Sequence, residues 1–381
     1  MLTNFLPEQY DRTGALPISH NYLAHQFADY EAIFAKMKQV VLKGDFTLGR
    51  AVDEFEQQYA AITGTKHAIG VNSGTDALRL SMIGLGVGAG DEVITTPFTF
   101  YATIGDIVTV GARPVFVDVQ DDYNIEPAGI EAAITPRTKA ILPVHWSGKL
   151  CRMDEIQAIA RKHCLFIVED ACHAIKATLD GQSAGSFGDA GCFSMHPLKN
   201  LNVWGDGGVI VTNSQILADK LRLLRNHGLM NRDECAMFAF NSRLDTVQAV
   251  VASHLLQKID RITESRIANA AYYDRGLGAV PQVRIPPRDP RVKQVFHIYS
   301  VECARRDELQ RFLIANGVDA KVHYPIPMHL QPAANKYGHK PGDFPRAEAV
   351  CKSVLSLPVH EFITTGQREQ VVSLVREFYS K

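Results

Sequence analysis

Three features of the 381-residue sequence predict an α/β protein: a mostly parallel sheet with helices on both faces, followed by a smaller α+β unit. From Lys66 to His173, short apolar runs alternate with stretches of helical periodicity, the pattern of buried strands joined by crossover helices. Pro281 to Pro290 is loop-like and rich in Pro and Arg, and the sequence beyond it reads β-α-β…α. The length exceeds one ordinary core, so two units are expected, 1–257 and 258–381.

In chain order, a polar N-terminal segment precedes helical periodicity over Asp29–Val41 and Arg50–Ala61, which the turn Gly44–Gly49 separates. Strand His67–Asn72, helix Asp76–Leu85 and strand Glu92–Thr96 follow. Next come helix Thr99–Thr109, strand Pro114–Val119 and helix Ile125–Ile134. Strand Ala140–His145, helix Met153–His163 and strand Leu165–Glu169 continue the alternation, and Asp180–Gly185 reads as a turn between strands. Strands Ala190–Met195 and Val209–Thr212 flank a Pro- and Gly-bounded loop. Past Ser214 the chain is helical, with one long helix expected from about Asp245 to Glu264. The last third gives strand Val295–Val301, helix Asp307–Asn316, strand Val318–His323 and helix Gln367–Tyr379.

Composition narrows the functional classes. Hydrophobic residues at 46% and charged residues at 21% are those of a water-soluble globular chain, and a formal charge of −1 argues against nucleic acid or an anionic membrane as partner. No apolar run approaches the roughly 18 residues a membrane span needs. Residues 1–14 lack a basic region followed by an apolar one, so no signal peptide is expected. Seven cysteines, odd in number and without CxxC spacing, point to a reduced, cytoplasmic protein.

Five stretches carry candidate chemistry. Lys199 follows a strand end and His196-Pro197, ahead of the turn Gly205–Gly208; in α/β sheets catalytic groups sit at such strand ends, and a desolvated lysine amine is a nucleophile towards carbonyls. Asn72–Asp76 lies between a strand and a helix, where Gly74 permits close backbone approach and the helix N-terminus suits a phosphate; a plain capped turn gives the same pattern. It is neither a dinucleotide fingerprint nor a P-loop. Strand Phe166–Glu169 ends in Glu169-Asp170, with His173 beyond. A buried carboxylate there needs a partner, which a pyridinium nitrogen or a helix start supplies, and no metal is expected because further ligands at metal spacing are lacking. Asn241 and Arg243 share one side of an extended segment, with Arg243 suited to a carboxylate or phosphate. In Lys321–Gln331, prolines stiffen a loop carrying His323, Tyr324 and His329.

Taken together these stretches resemble the sugar aminotransferases of the DegT/DnrJ/StrS type, which depend on pyridoxal phosphate (PLP). The shared segments are NSGTDAL (72–78), DEVITTPFTFYAT (91–103), VEDACHA (168–174), CFSMHPLKNL (192–201), GDGG (205–208), NSRLDTVQA (241–249), HYPIPMHLQP (323–332) and GDFPRAE (342–348). The resemblance runs from about Gly44 to Leu357, and eight segments in order and spacing make it highly specific. It implies the fold-type-I architecture, a large domain with a seven-stranded, mostly parallel sheet plus a small C-terminal α+β domain. It also implies roles. Lys199 would hold PLP as a Schiff base and shuttle a proton, and Asp170 would pair with the pyridine nitrogen. Gly74, Thr75 and Ser194 would bind the phosphate, and Phe100 would stack on the ring. His173 stands near the phenolic oxygen, where many members have Gln. Asn241 and Arg243 would enter the neighbouring subunit's site in a homodimer, at the phosphate and at the substrate anion, and Tyr324 and His329 would line the sugar pocket. Relatives that act as sugar 3-dehydratases carry histidine in place of the lysine; here the residue is Lys199. The implied reaction moves an amino group, with L-glutamate as donor, onto a keto-sugar, most often a nucleotide-linked one.

Overall fold

The computed structural model describes residues 16–20 and 22–381; the N-terminal stretch read for a signal peptide lies outside them. Seven strands form the main sheet: β1 (His67–Val71), β2 (Glu92–Thr95), β3 (Arg113–Phe116), β4 (Thr138–Ile141), β5 (Phe166–Asp170), and, after the two-residue strands β6 (Thr178–Leu179) and β7 (Gln182–Ser183), β8 (Ala190–Ser194) and β9 (Gly208–Thr212). Their order is β1-β9-β8-β5-β4-β2-β3. All pairs are parallel except those β9 makes with β1 and β8.

Alternate residues of these strands feed two apolar layers. Ile94, Ile141, Ile167, Phe193 and Val209 join one, and Ile69, Val93, Ala140, Val168 and Ile210 the other. A sheet buried on both faces must read as near-continuous apolar strands, and these do.

Helices α1 (Leu23–Gln26), α2 (Tyr30–Lys43) and α3 (Arg50–Thr63) precede β1. Helices α4 (Gly74–Gly84), α5 (Tyr101–Thr109), α6 (Pro127–Ala133) and α7 (Met153–His163) are the crossovers, and α8 (Gln215–Leu224) follows β9. Ser73 starts α4 by accepting the Asp76 amide, and Gly64 stops α3 with a left-handed φ of 66°.

The long helix expected from Asp245 to Glu264 is two helices, α9 (Thr246–Leu256) and α10 (Ile259–Leu277), broken at Gln257–Lys258. No Gly or Pro marks the break. It falls where a largely buried helix gives way to one that reaches a second apolar cluster, and Asp29 ties His254 and Lys258 on either side of it.

That second cluster gathers Tyr273, Leu277, Tyr299, Leu309, Leu355 and Val371, and Ile18 joins it from the N-terminal side. Around it, β10 (Val283–Arg284), β12 (Tyr299–Cys303) and β13 (Val354–Leu357) form an antiparallel sheet, while β11 (Val292–Lys293) pairs with β6. Helices α11 (Arg306–Ala315), α12 (Pro345–Ser353) and α13 (Thr365–Ser380) complete it. Val318–His323, expected as a strand, makes only single bridges, Val318 with Ile18 and Lys321 with Ser356. Val354–Leu357 takes the place beside β12 instead. Among the described residues no helix is long and apolar enough to cross a membrane.

Candidate active site

Parallel pairing of β5 with β8 sets Asp170 beside Cys192, so one carboxylate and the strand that leads to Lys199 end at the same edge of the sheet. The Lys199 loop is closed by Met195 N to Gly207 O (2.7 Å), Val203 N to Met195 O (3.0 Å) and Lys199 N to His196 O (2.8 Å). Burial depresses the Lys199 ammonium, and nearby Cys172 and Asp170 act in the opposite direction. The amine is thus biased towards its neutral, nucleophilic form while staying within the field of the carboxylate.

Asp170 is 6% exposed. Its Oδ2 accepts from Thr103 Oγ1 at 2.8 Å and its Oδ1 from the Cys172 amide at 3.2 Å, so each oxygen has a donor. Thr103 in turn bonds Thr99 at 2.7 Å.

At the start of α4 three segments meet. A Cβ added to Gly74 would lie 2.6 Å from Ser194 Cβ and 3.0 Å from Cys172 Sγ, and one added to Gly208 would lie 2.2 Å from Ser73 O. Only glycine permits this closeness. Thr75 is exposed at the first turn, where unpaired amides and the positive end of the dipole face outward. The arrangement is a cradle suited to an anion.

A ring wall runs away from Lys199. His173 is buried, 4.3 Å between centroids from His297 and 5.6 Å from Trp146; Trp146 lies 5.4 Å from Tyr324, and Tyr324 5.9 Å from Phe100. Phe100 is half exposed just ahead of α5. Burial first, then the charges of Lys199 and His323, hold His173 well below its usual range, so its ring is neutral. Its Nδ1 has no hydrogen-bond partner among the described residues. Burial and then Asp170 push the Tyr324 phenol up.

The remaining candidates lie in other groups. Ser242 Oγ donates to Asp76 Oδ2 at 2.5 Å and pins its segment to α4. Arg243 donates to Asn226 Oδ1 at 3.0 Å, and Asn241 is exposed, its backbone bridged to Asn226. His329 is 1% exposed; its Nε2 bonds Glu348 at 3.1 Å and its ring packs on Phe344 and Phe116. It therefore belongs to a cluster with Glu348 rather than to the wall around His173. Trp204 packs edge-on against Phe27 and Phe34, and its main chain is clamped by Gln248.

Thr103, Trp146 and His297 join the site without having been singled out from the sequence. Thr99 stands just ahead of α5 and Thr103 in its first turn, and nothing in that four-residue spacing names Asp170 as partner.

Residues 28–376 match the model of the DegT/DnrJ/EryC1/StrS aminotransferase family. The chain belongs to that family. It is 43% identical over 350 residues to a pleiotropic regulatory protein of Geobacillus stearothermophilus, covering 91% of this chain and 94% of the other. It is 41% identical to a dTDP-3-amino-3,4,6-trideoxy-α-D-glucose transaminase of Streptomyces venezuelae, covering 90% and 91% of the two chains. Among solved structures, S. venezuelae DesV in complex with a ketimine intermediate superposes with a TM-score of 0.93 at 39% identity, over 97% of this chain and all of the other (100%).

Members of this family use PLP, and two observations here fit that group. The glycine cradle at the α4 N-terminus suits its phosphate, and the orphaned Nδ1 of His173 leaves a buried polar atom that a bound group would satisfy.

Proposed function

We propose that this chain moves an amino group from L-glutamate onto a keto-sugar carried on a nucleotide, in amino-sugar biosynthesis. In one half-reaction water supplies the oxygen that replaces the glutamate amine, and 2-oxoglutarate leaves; in the other the amine replaces the sugar carbonyl oxygen, which leaves as water, so no net water is made. The reading is carried by one observation: in a chain of an aminotransferase family, the loop that carries half-buried Lys199 leaves β8 beside the end of the parallel strand β5, where Asp170 is buried.

PLP, when bound, supplies a ring that withdraws electrons as a bond to the substrate carbon breaks. In this reading Lys199 Nζ holds the cofactor and carries the proton to and from the substrate carbon. Asp170, held by Thr103, keeps the pyridine nitrogen protonated. Gly74, Thr75 and Ser194 take the phosphate, Phe100 covers one face of the ring, and neutral His173 meets the phenolic oxygen. Asn241 and Arg243 reach across to the site of a second copy in a homodimer, Asn241 at the phosphate and Arg243 at the substrate anion. The exposure of Asn241 supports this. Tyr324 bounds the sugar side, whereas His329, enclosed with Glu348, does not belong to that wall. The cofactor-binding domain is taken to end at residue 257 and the smaller domain to span 258–381, with Ile18 of the N-terminal segment packed into the latter's cluster. The free cysteines fit a cytoplasmic setting.

The test is a product assay. The PLP-loaded protein, given L-glutamate and a panel of dTDP- and UDP-linked keto-sugars, should release 2-oxoglutarate and an aminated sugar in equal amounts. No product from either half-reaction with any donor would contradict the reading. It would favour the second one, a PLP-bound sensor without turnover, which the regulatory relative at 43% identity brings forward.

A further inference from the structure

The main-chain carbonyl of Lys199 lies in a buried polar circuit of five hydrogen bonds and one ion contact. It accepts from Asn202 Nδ2 at 2.9 Å and from Tyr22 Oη at 3.4 Å. Asn202 Nδ2 also donates to Gln26 Oε1 at 2.6 Å, and Gln26 Nε2 donates to Glu361 Oε1 at 3.1 Å. Glu361 faces Arg266 at 3.6 Å, and Arg266 Nη2 donates to Tyr22 Oη at 2.6 Å, which completes the circuit. Tyr22 and Gln26 are 4% exposed, Asn202 0% and Arg266 2%. The side chain of Glu361 is 3% exposed.

Three parts of the chain are thereby joined to one atom: the N-terminal segment, α10 and the loop after β13. The same guanidinium donates to the carbonyls of Phe296 and His297, at 3.3 Å each, and the His297 ring lies against His173, tilted by 38°. The N-terminal segment is itself fastened to the C-terminal unit, through Ile18 N to Gly317 O at 3.0 Å and His360 Nε2 to Ser19 O at 2.9 Å.

We propose that Tyr22, Gln26, Asn202, Arg266 and Glu361 are positioning residues for Lys199: docking of the N-terminal segment against the C-terminal unit fixes where the lysine main chain, and with it the amine, stands. The proposal rests on the aminotransferase reading above. A buried Arg–Glu pair is a weak source of net stability, because desolvation offsets attraction, and its best-attested use is to specify one arrangement over others. Here the arrangement specified includes the lysine and the His297–His173 contact together. A circuit closed by five hydrogen bonds and one ion contact also confines its side chains more tightly than separate pairs would.

The test uses Tyr22→Phe in the full-length, PLP-loaded protein. This change keeps the ring that stacks on His360 at 4.8 Å and removes only the hydroxyl. Rate of amino transfer, the pH midpoint of the visible cofactor band and Tm are measured together. The ring predicts a rate lowered about fivefold, the worth of the neutral hydroxyl-to-carbonyl hydrogen bond, and a shifted midpoint, with Tm lowered as well because Arg266 Nη2 loses an acceptor. Gln26→Met opens the circuit on the opposite side and should move the midpoint in the same direction, even if Tyr22→Phe proves poorly folded. Arg288→Lys, which loosens the Arg288–Asp274 pair outside the ring, should lower Tm and leave rate and midpoint unchanged. A parental rate and midpoint in both ring variants would overturn the proposal alone. A parent protein that gains no visible band with PLP would overturn the functional reading and this proposal with it.

Discussion

Thr103 Oγ1 donates to Asp170 Oδ2 at 2.8 Å, joining α5 to the end of β5 across 67 residues of chain. Through this bond the residue proposed to meet the pyridine nitrogen is held from behind, and Thr99 holds Thr103 in turn. Thr103→Val keeps the shape and removes the donor. The PLP dissociation constant should rise about fivefold to tenfold, with a smaller effect for Thr103→Ser. Fluorescence titration with PLP checks this, and equal affinities in parent and Thr103→Val would contradict it.

Glu169, next to Asp170, is fully buried and satisfies four donors: His145 Nε2 and the amides of Gly185, Phe187 and Gly188. Its carboxylate fixes the turn that follows β7. Glu169→Ala leaves those donors unpaired and should cost about 3–5 kcal/mol of stability. Urea unfolding at neutral pH measures it; a loss below about 1 kcal/mol would show that water replaces the carboxylate.

Asp106, buried on α5 one turn beyond Thr103, is pushed up to about 8 by burial, against the pull of Arg79 and with help from Asp76 and Asp170. Its folded-state value lies above the unfolded one, so the stabilising protonation is fully present below about pH 4 and is lost as pH rises towards 8. Each unit in that window removes about 1.4 kcal/mol from this group's contribution. Asp106→Asn should therefore be more stable than the parent at pH 8, by roughly 2–4 kcal/mol, and gain little at pH 4. Denaturation curves at the two pH values check the sign, and an equal effect at both would contradict the account.

Gly208 faces the Ser73 carbonyl so closely that a Cβ would lie 2.2 Å from the oxygen and 2.8 Å from the Gly74 amide nitrogen. Both contacts are to backbone, so neither yields by a side-chain rotation. Gly208→Ala should push the glycine turn off the start of α4, cost about 1–3 kcal/mol of stability and weaken binding of PLP more than binding of a phosphate-free analogue. Comparing pyridoxal phosphate with pyridoxal in the same titration isolates the cradle.

The layout of the first two hundred residues was legible because strands buried on both faces announce themselves as apolar runs, and because Lys199, Asp170 and Gly74 sit at strand or helix ends where local sequence marks a turn. Such local marks cannot show a pairing between distant segments. Thr103 reads as an ordinary helix threonine until β5 lies beside it, and Arg266 as a helix arginine until Tyr22, 244 residues earlier, closes over it. The break at Gln257–Lys258 was hidden for a related reason: a helix buried on most sides has no polar stripe whose phase shift would show a change of direction. Val318–His323 alternates as a strand does, but the partner edge beside β12 goes to Val354–Leu357.

Lys199 is proposed as the amine that holds the cofactor, in a protein that turns over an amino donor. Absorbance spectra of the PLP-loaded protein, before and after L-glutamate and alongside Lys199→Ala, test it most directly. The expected outcome is a visible band that bleaches with glutamate in the parent and is absent, or unmoved by glutamate, in the variant. A parent protein that stays colourless with added PLP, or a Lys199→Ala protein whose band bleaches like the parent's, would contradict it.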